Sequence, residues 1–318
     1  MQDREKDNGE RAEKRSPPGP GLRHPEPVTS RDELPIRPLT PADLSACLDL
    51  ADDLAWGREE HRWRLLLAAG HGYGIDAPAD DPAGGLVAAV VRTSYADRWH
   101  AVGMMLVASR RQRRGLGRRL MRRVIEDAAG APLLLTATDQ GRPLYERLGF
   151  KAVGGIATVR GTFLAPPPEE AAGGGVAVRP ATAADLPEIL AYDLSAFGAD
   201  RTELLTRLPS FADRFLVART PGGRLAGFGA AWPNVTTTSV GPLVADDEAV
   251  ARALLTPLAL DTPTPARFDV GDWHPELARW LAARGLVESG RTELMVHGVA
   301  EAPGALSRRF APFTLAHA

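Results

Sequence analysis

Val102-Gly103-Met104-Met105-Leu106-Val107 runs into Arg111-Gln112-Arg113-Arg114-Gly115-Leu116-Gly117, and Leu116, Leu120, Met121, Val124, Ile125 and Ala128 then continue at helical spacing. The first six residues read as a strand buried on both faces. Gly115 and Gly117 let the next backbone segment turn tightly and approach a ligand closely. Amides left unpaired at the helix start carry about half a positive charge from the macrodipole, and the arginines add full charges there. An anion is expected at this place, and the pyrophosphate of a nucleotide suits it. Of the helix arginines, Arg122 and Arg123 need no more than a solvated face. Arg113, Arg114 and Arg118 oppose the dipole by about a few tenths of a kcal/mol each unless an anion sits among them. A dinucleotide fingerprint would want glycine where Leu120 stands, and no Gly-Lys-Ser/Thr follows for a phosphate loop of the ATPase kind.

A chain of 318 residues is long for one core and ample for two domains. Residues 1–33 mix charges, Pro and Gly with little that is apolar, so they read as a disordered tail. Ala165-Pro166-Pro167-Pro168-Glu169-Glu170 through Gly173-Gly174-Gly175 has the content of a linker, dividing domain 34–164 from domain 176–318 at 165–175. The formal net charge of -2 argues against a surface built as a whole for nucleic acid or anionic membrane. The single cysteine, Cys47, permits no internal disulfide and lies among Leu44, Leu48 and Leu54 as a packing residue. No apolar run is long enough for a membrane span and no signal peptide is evident, so a soluble, cytoplasmic protein is expected.

The two parts echo one another. Ile36-Arg37-Pro38-Leu39-Thr40-Pro41-Ala42-Asp43-Leu44 returns as Val178-Arg179-Pro180-Ala181-Thr182-Ala183-Ala184-Asp185-Leu186. Leu106-Val107-Ala108 returns as Leu243-Val244-Ala245, and Leu148-Gly149-Phe150 as Arg284-Gly285-Leu286, at nearly constant offset. Two copies of one α/β fold of the α+β kind are therefore expected, each a mixed central sheet flanked by helices. In the first copy the patterns place strands near 34–38, 72–76, 85–94, 102–107, 133–136 and from about 152. Helices are placed near 41–53, 58–69, from Gly115, and through Tyr145. Short turns among the middle strands imply antiparallel pairing, and the strand, helix, strand passage across 102–136 implies a parallel crossover.

Gln112 through Gly117 resembles the acyl-CoA loop of the GNAT superfamily of N-acyltransferases, Gln/Arg-x-x-Gly-x-Gly/Ala. The strand before it, the helix after it and Leu144-Tyr145-Glu146-Arg147-Leu148-Gly149-Phe150 stand in that superfamily's order over about 125 residues. The two-copy layout is similar to tandem GNAT proteins whose second copy has lost the cofactor loop. The resemblance implies acetyl-CoA as co-substrate, no metal, and acetyl transfer to a primary amine on a small molecule or peptide by direct attack. It implies that Met105, Leu106 and Val107 meet pantetheine or the thioester carbonyl through their backbone. It implies that Gln112, Arg113, Arg114, Gly115, Leu116, Gly117 and Arg118 hold the pyrophosphate. Tyr145 matches the tyrosine that protonates the departing thiolate, a transfer open to a phenol near pKa 10 and a thiolate near 8.5. The alternative is a tyrosine packed under its helix with the hydroxyl on backbone. Trp56 to Trp63 resembles the substrate-side helix, with Gly57 and Arg62 where Asn and Asp would be expected.

An ammonium must lose a proton before it attacks, and several groups are candidate bases. His100 is favoured for its unperturbed pKa, with Asp97, Glu59, Glu60 and His61 as alternatives and a water chain as another. In the second copy the loop reads Ala245-Asp246-Asp247-Glu248-Ala249-Val250-Ala251-Arg252, which repels a pyrophosphate and suits the first turn of an ordinary helix. The tyrosine position becomes Leu281. That copy is expected to shape the amine pocket or to hold a homodimer together. His274 reads as turn chemistry, and the seven histidines show no metal-ligand spacing. Two other functions remain: a protein that binds acyl-CoA without turnover, and a nucleic-acid contact through the arginines, disfavoured by the lack of stacking aromatics near them.

Overall fold

The quoted stretch folds as a strand, a tight turn and a helix in the middle of the N-terminal half. The structure is a computed structural model that describes residues 34–96, 98–167 and 175–317. The tail assigned to residues 1–33, the candidate Asp97 and linker residues 168–174 lie outside the described residues.

The first half runs β1 (Ile36–Leu39), α1 (Leu44–Asp53), α2 (Glu60–Ala69), β2 (His71–Asp76), β3 (Leu86–Tyr95), β4 (Trp99–Val107), α3 (Leu116–Asp127), β5 (Leu133–Ala137), α4 (Arg142–Arg147) and β6 (Lys151–Gly161). The second runs β7 (Ala177–Pro180), α5 (Leu186–Phe197), α6 (Thr202–Leu205), α7 (Leu208–Phe211), β8 (Arg214–Arg219), β9 (Leu225–Pro233), β10 (Thr238–Ala245), α8 (Glu248–Ala259), β11 (Ala266–Gly271), α9 (Pro275–Ala283), β12 (Val287–His297) and β13 (Arg309–Ala311). The repeat has a local cause at each start. Thr40 and Thr182 each open a short 3-10 turn through a capping box with Asp43 and Asp185, whose carboxylates accept the threonine amides at 2.8 Å. In α1 Cys47 is fully buried beside Leu48, Leu50 and Ala51, and burial pushes its thiol up to about 12.

All described strands belong to one mixed sheet in the order β1-β2-β3-β4-β5-β12-β6-β11-β10-β9-β8-β7, with β13 pairing β10 off that path. The middle of this order crosses the sequence halves. Strand β12 of the second half pairs antiparallel with β5 of the first, from Leu133↔His297 to Ala137↔Glu293. Strand β6 of the first half pairs antiparallel with β11 of the second, from Ile156↔Gly271 to Gly161↔Ala266. Each half thus lends its last long strand to the other, and the two lent strands pair with one another. On one face a single core draws Tyr95, Ala101, Leu134 and Ile156 together with Phe197, Phe211, Trp232 and Phe313.

As the spacing requires, β2, β3 and β4 pair antiparallel and β4 pairs parallel with β5. Burial of β4 differs from the expectation. Gly103, Met105 and Val107 are only half-buried, because β4 leaves β5 after three residue pairs, His100↔Leu133 to Val102↔Leu135. Met104 marks the departure. It sits at φ +51°, where a residue with a side chain is strained by about 1–2 kcal/mol, and the ladder to β3 shifts register beside it. The result is a fork whose β4 edge toward β5 has no partner beyond Val102 among the described strands.

The second half has the matching fork between β10 and β11, which pair only from Thr238↔Ala266 to Val240↔Phe268. There β13 fills the opening, with Leu243↔Ala311 and Val244↔Arg309. The chain continues to the first fork. A Cβ on Gly241 would collide with the Pro312 carbonyl, and a Cβ on Gly103 would collide with Ala316. Both glycines are required by the close passage of this strap. The Thr136 hydroxyl donates to the Leu315 carbonyl at 2.7 Å, and the Tyr95 hydroxyl to that of His317 at 2.8 Å.

Candidate active site at the head of helix α3

Leu116, Leu120, Met121 and Val124 are buried and hold α3 against the sheet, each side chain contributing about 1.5–3 kcal/mol. This anchors the helix start beside the end of β4. Gln112 donates from Nε2 to the Val107 carbonyl at 3.3 Å, so its side chain ties the turn to the strand. Arg113 at φ +62° and Gly115 at φ +83° are both left-handed, with Gly115 as the N-cap of α3. Alternation of this kind turns successive amides toward one concavity, the arrangement that binds anions. Among the described residues the amides from Arg113 to Arg118 meet no acceptor in the protein; the ladder of α3 begins with Arg119 donating to the Gly115 carbonyl at 3.0 Å.

The arginines separate by what they touch. Arg110 and Arg111 both grip Asp81, at 3.3 and 2.6 Å, and Arg111 first among them holds that carboxyl below its ordinary range. Arg119 donates to the Leu34 carbonyl at 2.7 Å. Arg113, Arg114 and Arg118 are exposed and make no ion pair among the described residues. Gly115 is exposed as well, with nothing within 4 Å of where a Cβ would lie. Gly117 faces Leu144 of α4 and Val107 of β4, at 3.3 and 3.5 Å from a Cβ position. These contacts bring the strand end, the helix head and α4 to one place.

Tyr145 is the residue after Leu144. It is 8% exposed, its ring centroid lies 5.9 Å from that of Phe150, and burial pushes its hydroxyl above the ordinary phenol range. Among the described residues the hydroxyl makes no hydrogen bond, so backbone does not hold it. His100 is not brought here. It lies at the other end of β4, seven residues from Val107, or roughly 23 Å at the rise of a strand. Its Nδ1 meets Ser94 Oγ at 3.1 Å and its Nε2 meets Arg92 Nη1 at 3.4 Å, on the wall of an open cavity of about 450 Å³ with Arg98 and Asp127. An arginine can only donate, so in this contact Nε2 accepts. The placement removes His100 from contact with a ligand on the α3 loop.

The remaining candidate bases sit on or beside α2. Glu59 accepts from Arg62 at 2.7 Å and from Asn234 at 2.8 Å, and Glu60 pairs with Arg64 on the exposed face. His61 stacks on Phe211 at 4.0 Å, and its Nε2 meets the Phe211 carbonyl at 2.8 Å, so that nitrogen carries the proton. In the second half Asp247 caps α8, accepting from the Val250 amide at 2.9 Å, while Asp246 pairs with Arg224 and Arg308. These acids complete an ordinary helix start. Leu281 is fully buried within α9, and His274 is buried at the start of α9 with Nε2 on the Arg309 carbonyl at 3.1 Å.

A bulged fourth strand parting from the fifth above a glycine turn and a bare helix head, in a chain whose second half repeats the parting but fills it with β13 and caps its helix with Asp247, is a distinctive combination. Two family models described as acetyltransferase (GNAT) domain match the chain, one over residues 77–152 and the other over residues 189–311. The chain belongs to the GNAT family of acetyltransferases. It is a tandem GNAT N-acetyltransferase. It is 28% identical over 244 residues to the uncharacterized N-acetyltransferase YitH of Bacillus subtilis, covering 76% of this chain and 84% of that one. Its fold is shared by a putative acetyltransferase from Pyrococcus horikoshii, with TM-score 0.72 at 21% identity, covering 93% of this chain and 99% of that one. A tandem GNAT protein from the clavulanic acid biosynthesis pathway has TM-score 0.58 at 16% identity, covering 85% of this chain and all of the other. In this GNAT chain the strap was missed from sequence, since residues 309–317 show no periodicity. Gly103 and Gly241 were the available signal, small residues at matching places in two strands.

Proposed function

We propose that this GNAT protein transfers an acetyl group from acetyl-CoA to a primary amine, with 34–164 as the catalytic half and 176–318 as its degenerate partner. The observation that carries this reading is the set of free amides at Arg113 to Arg118, crowned by three arginines without an ion pair. A cationic helix head without a counterion is unfavourable by itself, and a pyrophosphate reverses the sign. In the second half the same place is acidic and the fork is closed by β13. The thioester of acetyl-CoA supplies an activated acyl carbon. The open β4 edge past Val102 offers backbone donors for its carbonyl.

The amine nitrogen forms the new bond to the acyl carbon as the carbon-sulfur bond breaks, and the sulfur takes a proton from the Tyr145 hydroxyl. The amine's released proton restores the tyrosine through solvent. Burial disfavours the phenolate and an adjacent thiolate alike, so the hydroxyl stays protonated until the sulfur leaves. Replacing Gly115 by valine tests the reading. A branched side chain at φ +83° cannot keep the turn without strain, yet it meets no neighbour, so the fold survives while CoA binding fails. Undiminished heat of CoA binding in Gly115→Val, or none in the unmodified protein, refutes it. A protein that binds acetyl-CoA but releases no free thiol with any amine is a sensor instead.

A further inference from the structure

Arg62 lies on α2 inside the molecule and is 7% exposed. One guanidinium nitrogen meets Glu59 at 2.7 Å, and the group lies 5.9 Å from the ring centre of Trp232. Its Nε is buried without a hydrogen-bond partner. A buried guanidinium with an unmet donor is costly, and burial acts to push its proton affinity down. The charged groups around it do not relieve the cost. Arg267 and Arg160 add positive charge, against the carboxylates of Glu59 and Asp269. Asp269 is already engaged by Arg267 at 3.1 Å and by the Thr158 hydroxyl at 2.6 Å. Arg160 is exposed and has no ion pair among the described residues. Three cations thus face two carboxylates beneath α2.

This surplus adjoins the open fork. Ala316 packs on Gly103 at the fork, and the next residue, His317, lies in the field of Arg62 with its own Nε2 buried and unpartnered. Glu59 also receives Asn234 from the turn between β9 and β10, so the second half contributes to the same wall. Two buried polar atoms without partners, one on each half, mark a place where a ligand's polar group would be held.

We infer that Arg62 selects an acceptor amine that also carries an anionic group, a carboxylate or a phosphate, which meets its unpartnered Nε. The inference rests on the acyl-transfer reading of the α3 site and names the acceptor class for it. A charge-assisted hydrogen bond of this kind separates matched ligands by about tenfold or more.

The test uses the full chain with acetyl-CoA and pairs of amines that differ in the anion alone: amino acids against their decarboxylated amines, and phosphoethanolamine against ethanolamine. Free thiol release is expected to give a kcat/KM about tenfold or more higher for the anionic member of one set, and which set responds identifies carboxylate or phosphate. In Arg62→Leu the preference should vanish through KM, with the Kd for CoA unchanged. The double variant Glu59→Gln with Arg62→Leu removes both charges of the pair if the single variant does not fold. Equal or better use of the neutral amines, or a preference that survives in Arg62→Leu, overturns the inference. Titration of the same pairs onto CoA-saturated protein separates the two readings. A tenfold difference in Kd without thiol release sustains the anion site and sinks acyl transfer, and equal Kd values sink the anion site.

Discussion

Replacing Arg113, Arg114 and Arg118 together by alanine should change ligand affinity and bare stability in opposite directions. A unit charge about 5 Å from a phosphate is worth about 0.8 kcal/mol at water-like screening. The exposure of all three arginines makes that screening the appropriate one. Their joint loss then weakens CoA by about 2.5 kcal/mol, roughly seventyfold in Kd. Without ligand the same side chains oppose the positive end of α3, by about 0.3–1 kcal/mol each where they reach the first turn. The alanine variant should therefore unfold at a temperature a few degrees higher than the parent, since about 1 kcal/mol moves the melting point by about 2–4 °C in a domain of 150–250 residues. Calorimetry with CoA at low and high salt reads the first effect, and melting without ligand reads the second. The affinity gap should narrow as salt rises, because a Debye length is about 10 Å at 0.1 M. An unchanged Kd, or a variant that melts earlier without ligand, would refute the assignment of these arginines to an anion.

Tyr145→Phe should lower kcat about a hundredfold with little change in CoA affinity or stability, because the hydroxyl makes no hydrogen bond among the described residues; equal turnover rules out its role as acid. His100→Ala, altered far from the loop, should keep kcat within about twofold while lowering the unfolding midpoint, and a large loss of kcat would restore it to the chemistry. Gly103→Ala should destabilise by about 1–3 kcal/mol through its collision with Ala316, and Ala316→Gly should recover part of that in a double-mutant cycle. Additive effects would mean that the strap does not lie where described. Burial pushes His317 down to about 3 from 6.5, so the unfolded chain binds the extra proton between those values and stability falls as pH drops through that window, by up to about 1.4 kcal/mol per unit. His317→Gln should flatten this slope in melts from pH 7 to 4, and an unaltered slope would exclude His317 as its source. Asp185, gripped first by Arg179 and held far below the usual carboxylate range, adds a separate loss under still more acidic conditions.

What the chain reveals locally proved readable. The repeat of 36–44 at 178–186, the stripe of α3 and the glycine at 115 each depend on neighbours within a few residues, where periodicity and turn chemistry carry the information. The parallel step from β4 to β5 also followed, because a helix must carry the chain back. The exchange of β6 and β12 did not, since strand patterns say which face is apolar and nothing about which strand lies alongside. Nor did local reading foresee the forks. Met104 is an ordinary apolar residue in sequence, and its left-handed backbone is imposed by surroundings. His100 shows the limit of proximity along the chain, since a few residues of extended strand carry a side chain to the opposite end of the sheet. The strap was invisible for a related reason, because it owes its position to two grooves already built by distant strands.

The trading of last strands has a consequence for assembly. Two separate polypeptides could reach the same arrangement by swapping an end piece, and their union would then weaken on dilution. Joined in one chain, each piece faces its receptor at an effective concentration on the order of millimolar, whatever the protein concentration outside. A protease cut between Gly161 and Ala177 should therefore leave fragments that stay entwined, held by the β6 and β12 ladders, and separate only when the whole body melts.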